Sequence, residues 1–379
     1  MKIVGIVCEY DPFHRGHRRQ FELIRQTEPD AYIVCLMSGC FTQRGMPALH
    51  LPQVRAEAAL KAGCDMVLEL PVAFSLRDAE HFADGAVAIF EKLGFITHLS
   101  FGTEDDVNLL IPVAKLLCDD TLLPGLKEGL SYPAALEEAV AQSLPQCREA
   151  LAKPNNILAI QYLRALYRPK SEIIPLPVRR QGDYHAGELS PEAYPSATAI
   201  RRAFLDGQFE EAEAAAGYPL PREPVCLPNS LDMPLLYQLR GMQPEEIAAY
   251  PHCSEGLENR ALACARQATS REDLLAQLKT RRYPYTRLNR LLSHILLGMR
   301  QDVLEANPDS AYVRLLGLRK DAKPLLSRLS ESGIPIISKP ADGNLADPLY
   351  RLDIRAYDLW ALGAGLPAGL MFTQSPVIL

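Results

Sequence analysis

Over about 200 residues at the start of the chain, short and mostly apolar runs alternate with stretches whose apolar positions recur every three or four residues. Ile3 to Val7 is the first run, and its β-branched, charge-free character predicts a strand buried on both faces. Glu9-Tyr10-Asp11-Pro12 breaks it, and His14-Arg15-Gly16-His17 follows. Phe21 and Ile24 then continue at helical spacing. Ala31 to Met37 predicts a second buried strand, ending in the polar loop Ser38 to Gly45. Leu51 to Ala62 predicts a helix with Arg55 and Lys61 facing out. Asp65 to Leu70 predicts a third strand, and Phe74 to Leu93 a helix with Phe82, Val87, Ile89 and Phe90 in the core. Thr97 to Phe101 is the fourth predicted strand, closed by Gly102-Thr103-Glu104. Helices are expected over 105–150 and from Ile157 to Tyr167, the latter opened by Lys153-Pro154-Asn155-Asn156. A fifth strand, Ile173 to Val178, ends on Arg179-Arg180. Strand and helix in alternation predict an α/β fold, a doubly wound and mostly parallel sheet.

The pattern changes after Gly207. Pro219 to Pro234 is proline-rich and reads as a linker, and the chain beyond is mainly helical. We therefore divide it into an α/β domain, 1–207, and a mainly helical domain, 208–379, with a small strand-containing tail at Tyr312 to Leu318 and Ile334 to Ser338 and a final helix at Tyr357 to Leu362. Leu288, Leu291, Leu292, Ile295, Leu296 and Met299 give one helix a buried face. Lys279, Arg281, Arg282, Arg287 and Arg290 lie at its start with no acid among them, and Tyr283 and Tyr285 are interleaved. Such a run is often only a solvated face. Basic residues mixed with aromatics also suit phosphate contact and base stacking.

Composition narrows the class. Of 379 residues, 48% are hydrophobic and 23% charged, ordinary values for a soluble globular protein large enough for two domains. The net charge of −6 gives no general attraction to nucleic acid, so any RNA contact needs a local basic patch. Nine cysteines are scattered, odd in number and often inside apolar runs, which predicts reduced thiols in a cytoplasmic protein. No signal-type segment and no run long enough to span a bilayer is visible, so no membrane association is expected.

The candidate chemistry sits at turns. His14 and His17, at i and i+3 where a helix begins, can share one face. The helix start offers free N–H groups to an anion, and Gly16 lets a ligand approach the backbone. Open α/β sheets bind ligands at this end of their strands. Ser38, Gln43 and Arg44 lie on the same side, as do Gly102 and the pair Asn155 and Asn156, one readable as a cap and the other as a ligand contact. Arg179-Arg180, with Gly182, Tyr184 and His185 after them, suit phosphate or carboxylate. Ser196 is a natural N-cap; with Thr198 and Arg201 it also reads as a second anion site. No spacing supports a zinc site.

Two of these stretches resemble known motifs. EYDPFHRGH resembles the HxGH motif of the nucleotidyltransferase superfamily, and PSATAIRR resembles its second phosphate motif. Together with MSGCFTQRG, SFGTE, KPNNILAIQY, PVRRQGDYH, EGLENR and RRYPYTRLNRLLSHILL, they closely resemble the bacterial tRNA(Met) cytidine acetate ligase family over nearly the whole chain. One departure is Ser196-Ala197, where the motif usually has two serines. The resemblance implies ATP and acetate as substrates, acetyl-adenylate as intermediate, and acetyl transfer to N4 of the wobble cytidine, position 34, of elongator tRNA(Met). It implies an ATP site formed by Val7, Cys8, Glu9, Tyr10, Asp11, Pro12, Phe13, His14, Arg15, Gly16, His17, Arg18, Arg19 and Gln20, by Gly102, by one of Asn155 and Asn156, by one of Arg179 and Arg180, and by Ser196. His14, His17, Thr198 and Arg201 would be catalytic. Lys279, Arg281, Arg282, Tyr283, Tyr285, Arg287 and Arg290 would hold the tRNA. Mg²⁺ is expected on the phosphates, without a protein carboxylate cage. The alternatives are a small-molecule adenylyltransferase that joins AMP to a phosphorylated cofactor precursor, and an RNA-binding protein with a vestigial nucleotide site.

Overall fold

A computed structural model describes residues 1–118, 132–168, 171–179, 194–254, 256–280 and 282–379. Five parallel strands form its centre: β1 (Ile3–Cys8), β2 (Tyr32–Ser38), β3 (Met66–Leu70), β4 (His98–Thr103) and β5 (Ile174–Arg179), in the order β5-β4-β1-β2-β3. Successive residues of each strand point to opposite faces. Val4, Ile6, Ile33, Cys35 and Val67 therefore pack with Phe21, Ile24 and Ala59 on one side of the sheet. Ile3, Val34, Leu36 and Leu68 pack with Phe82, Ile89 and Phe90 on the other. Both faces of β1, β2 and β3 are buried, which explains why these strands read as near-continuous apolar runs, whereas β5 at the edge is half-exposed. The strand order reverses direction at β1, and the crevice beside it is where such sheets take ligands.

The strands of the tail join this same sheet. β6 (Val313–Leu318) lies antiparallel on β3, and β7 (Ile336–Ile337) and β8 (Val377–Ile378) lie parallel on β6. The sheet is thus mixed but mostly parallel. Arg314 of β6 meets Glu69 of β3 at 2.7 Å, with both side chains buried. Neither residue signals this pairing locally, because it forms only when the chain returns across the sheet.

Other boundaries shift for identifiable reasons. The stretch expected as one helix from Phe74 is a single turn, Val72–Ser75, and then a helix, Ala79–Leu93. Asp78 separates them by capping the second, its carboxylate accepting from His81 N at 3.1 Å. The helix Pro154–Tyr167 starts from Lys153, with proline in its first turn, so neither Asn155 nor Asn156 is its N-cap. Arg55, expected to face out of the helix Pro52–Lys61, is fully buried. The last long helix runs Pro348–Gly363, longer than the expected Tyr357 to Leu362. Among the described residues, no helix is long and apolar enough to cross a membrane.

Candidate active site

β1 ends at Cys8, and the helix Arg15–Thr27 begins a short turn later. His14 is the N-cap of that helix: its Nδ1 accepts from Gly16 N at 3.1 Å. His17 Nδ1 in turn accepts from His14 N at 3.2 Å. A ring nitrogen that accepts a hydrogen bond carries no proton, so in the neutral rings the hydrogen sits on Nε2. Both imidazoles are thus fixed as Nε2–H donors. They stack with centroids 3.6 Å apart, and Tyr10 packs against His17 at 4.7 Å. Gly16 is needed for this stack, since a Cβ there would stand 2.9 Å from His14 Cε1.

The second motif comes to the same place. Ser196 caps the helix Ala197–Leu205, accepting from Ala199 N at 3.1 Å, and is buried. Its hydroxyl therefore belongs to the helix start. Thr198 and Arg201, one turn apart, face the cleft. Arg201 Nη2 donates to Thr198 Oγ1 at 3.3 Å. Its Nη1 donates to the Asp11 carbonyl and lies 3.4 Å from the Asp11 carboxylate. His14, His17, Thr198 and Arg201 line one cleft of about 1340 Å³.

The loop after β2 forms another wall, and it is pinned from four sides. Gln43 N donates to Glu9 Oε1 at 2.6 Å, and Leu49 N donates to Asp11 Oδ1 at 2.8 Å. Burial pushes the Glu9 carboxyl above its ordinary range, against the opposing hydrogen bond from Gln43. Buried Arg55 donates to the carbonyls of Glu9, Gly39 and His50, tying the two loops together. From the helical half, Arg271 Nη2 donates to Gly45 O at 2.7 Å and Arg290 Nη1 donates to Gln43 O at 3.3 Å. The sequence pattern puts Arg55 on an outward helix face and gives no signal at Arg271, yet both are buried. Each looks like an ordinary charged helix position, and only its burial reveals its role.

The other predicted residues divide among three settings. Val7, Cys8, Glu9, Tyr10, Asp11, Gly16, Arg19, Gln20, Gly102, Asn155 and Arg179 line the cleft. Pro12, Phe13, Arg15, Arg18 and Asn156 do not. Asn156 is fully buried beneath the end of β4, where its Oδ1 accepts from Glu104 N at 2.9 Å and its Nδ2 donates to Asp105. Asn155 Nδ2 donates to Glu104 Oε1 at 2.8 Å. Of the basic segment, Arg282, Arg287 and Arg290 line the same cleft. Arg290 and Tyr283 are buried, Tyr285 is exposed, and Lys279 sits over the Tyr285 ring. Arg287 is tied to His252 O and Ser254 Oγ at 3.1 and 2.9 Å. Arg180, Gly182, Tyr184, His185 and Arg281 lie outside the described residues. Ser38 is buried and off the cleft, whereas Gln43 and Arg44 are on it.

The HIGH Nucleotidyl Transferase family matches residues 1–367. The tRNA(Met) cytidine acetate ligase of Acetivibrio thermocellus is 35% identical over 425 aligned positions, with all of both chains covered. That of Clostridium perfringens is 33% identical over 401, also with full coverage of both. The chain belongs to the tRNA(Met) cytidine acetate ligase family. A crystal structure of Thermotoga maritima TmcAL bound with alpha-thio ATP superposes with a TM-score of 0.88 at 28% identity, covering 100% of each chain. The apo form of the same protein gives 0.89. Members of this family are ligases, so the cleft described above is the candidate catalytic centre of an enzyme.

Proposed function

We propose that the cleft joins ATP to acetate, forming acetyl-adenylate and pyrophosphate, and then passes the acetyl group to N4 of the wobble cytidine of elongator tRNA(Met). One observation carries this reading. Two imidazoles fixed as Nε2–H hydrogen-bond donors, a Thr198–Arg201 pair and a set of basic residues from the helical half all face one cavity.

In the first step the acetate oxygen attacks the α-phosphorus and pyrophosphate leaves in line. No protein nucleophile is required; the chain has to position both groups and neutralise charge as it develops. His14 and His17 donate from Nε2 to the α-phosphate and bridging oxygens. Thr198 and Arg201 hold the departing pyrophosphate, with Thr198 supplying the hydroxyl beside Ala197. Gly102, Asn155 and Arg179 border the nucleotide end of the cleft. Among the described residues no three His, Cys, Asp or Glu side chains gather as they would around a metal held by protein alone. A Mg²⁺ ion accompanying ATP would neutralise phosphate charge, with Thr198 the hydroxyl of the second motif available to it.

In the second step the exocyclic amine attacks the mixed anhydride. The target base must leave its loop to reach the cavity. Arg282 and Arg287, which line the cleft, would meet the phosphates beside it. We assign adenylation to residues 1–207 and tRNA contact to the helices after 208, while β6 to β8 complete the first sheet. The expected location is the cytoplasm.

The test supplies ATP, acetate and tRNA(Met), and follows pyrophosphate release and acetylated cytidine separately. Release that depends on acetate, with acetylation of tRNA(Met), is the expected outcome. Release that depends instead on a phosphorylated nucleotide-like acceptor would make this a small-molecule adenylyltransferase.

A further inference from the structure

The cleft holds a third histidine with the opposite polarity. His81 stands in the first turn of the helix Ala79–Leu93, on the cleft wall. Its Nδ1 lies 2.8 and 3.0 Å from the two carboxylate oxygens of Asp78. The same carboxylate accepts from His81 N at 3.1 Å, so one side chain fixes both the backbone and the ring of His81. Burial alone would raise the Asp78 carboxyl, but the hydrogen bonds and charge of His81 outweigh it and hold it well below the usual carboxylate range. An ionised carboxylate only accepts, so Nδ1 must be the donor. The neutral ring then presents a lone pair at Nε2. His14 and His17 present hydrogens there; His81 presents an acceptor.

Its position matches a different task. Arg179, Gly102 and Asn155 border the cleft from the β5 and β4 side, and the paired histidines rise from β1. Asp78 follows β3, on the far side of β1, where Gln43, Arg44, Arg282, Arg287 and Arg290 also line the wall. The dyad is therefore at the end of the cleft that faces the basic segment. Acetyl transfer has an unmet need at that end. As N4 attacks the carbonyl carbon, a C–N bond forms, the C–O bond to the adenylate phosphate breaks, and AMP leaves as a phosphate monoester. The nitrogen must lose a proton along the way, and a carboxylate-oriented imidazole is a recurring proton acceptor in acyl transfer.

We propose that His81, oriented by Asp78, takes that proton at Nε2 and is the general base of the acetyl-transfer step. The proton then passes to water. This inference rests on the acetate-ligase reading of the cleft.

The experiment separates the two half-reactions. Acetate-dependent exchange of pyrophosphate into ATP reports the first. The second is a single-turnover transfer from enzyme preloaded with acetyl-adenylate to tRNA(Met). Asp78→Asn keeps a good helix cap, but its amide donates to Nδ1 and moves the ring hydrogen to Nε2. Asp78→Asn and His81→Gln are both expected to slow transfer by about 10²–10⁴-fold while exchange continues. Transfer at the wild-type rate in either variant overturns the proposal. So does an equal loss of exchange and transfer, which would place His81 in the adenylation step. Wild-type enzyme that shows no acetate-dependent exchange, or exchange without transfer, refutes the reading of the cleft and not the dyad.

Discussion

Arg201 reaches across the mouth of the cleft to Asp11, its Nη1 3.4 Å from the carboxylate and donating to the Asp11 carbonyl as well. The helix that starts at Ala197 is thereby bonded to the turn that carries His14 and His17. Arg201→Ala should lower acetate-dependent pyrophosphate exchange by about 10²–10³-fold, the usual cost of losing one preorganised donor to developing charge. Arg201→Lys should recover little, because an ammonium cannot serve carbonyl, carboxylate and hydroxyl as a fork does. Exchange at the wild-type rate in Arg201→Ala would remove this arginine from the phosphate site.

The stacked pair His14 and His17 predicts a sharper division of labour. His17→Ala should abolish acetyl-adenylate formation. Gly16→Ala should impair it as well, since the added methyl meets the His14 ring at 2.9 Å. Arg282→Ala should leave adenylate formation intact and lose tRNA acetylation. Arg287→Ala would also remove bonds to His252 O and Ser254 Oγ, so its stability has to be measured alongside its activity. Parallel loss of both half-reactions in Arg282→Ala and His17→Ala would end the distinction.

The clamp on the loop after β2 predicts a stability effect. Gly45 has φ +85°, and a Cβ there would lie 2.5 Å from Arg290 N, a backbone atom with nowhere to go. Gly45→Ala should cost about 1–3 kcal/mol. Arg271→Ala removes buried donors from Gly45 O, Asn289 O and Ser293 Oγ, and should cost at least as much, at about 1–3 kcal/mol for each group left unpaired. Urea unfolding midpoints check both; an unshifted midpoint in either variant contradicts the clamp.

His294 gives the pH dependence a sign. It is fully buried, its Nε2 donates to Leu76 O at 2.7 Å, and burial depresses its pKa to about 3. The unfolded chain binds a proton near pH 6.5 while the folded one still refuses it. Stability is therefore fully present above about 6.5 and lost as pH falls toward 3, at about 1.4 kcal/mol per pH unit from this group. Its stacked neighbour His252, 5.3 Å away, is depressed in the same direction, chiefly by burial and also by the nearby Arg290 and Arg77 guanidinium groups. Between pH 7 and 5 the wild type should lose more stability than His294→Gln, measured by urea titration at each pH. Equal losses would show that His294 is not held neutral.

Much of the first half of the chain was legible in the sequence, because the relevant signals are local. Ile3 to Val7 and Ala31 to Met37 are charge-free and could bury both faces only as central strands. His14, Gly16 and His17 mark a helix start within four residues, and Thr198 and Arg201 share a face by helical spacing alone. Period and turn chemistry are properties of short stretches, and they survive without knowledge of the rest of the chain. What lay beyond reach was every role defined by a distant partner. Arg55 appeared to be a solvent-facing helix position until Glu9 O and Gly39 O surrounded it. Arg290 read as part of a free basic face, yet it is buried against Gln43 O. The helix cap at Asp78 was locally encoded, but its place beside the basic segment depends on β3 and the helical half meeting over one cleft. The tail strands ran the same way: β6 has the composition of any short strand, and only the sheet edge offered by β3 decides where it pairs. A one-dimensional pattern specifies which elements form and which atoms they offer; packing in three dimensions decides which of those atoms meet, because burial and long-range hydrogen bonds depend on neighbours tens or hundreds of positions away.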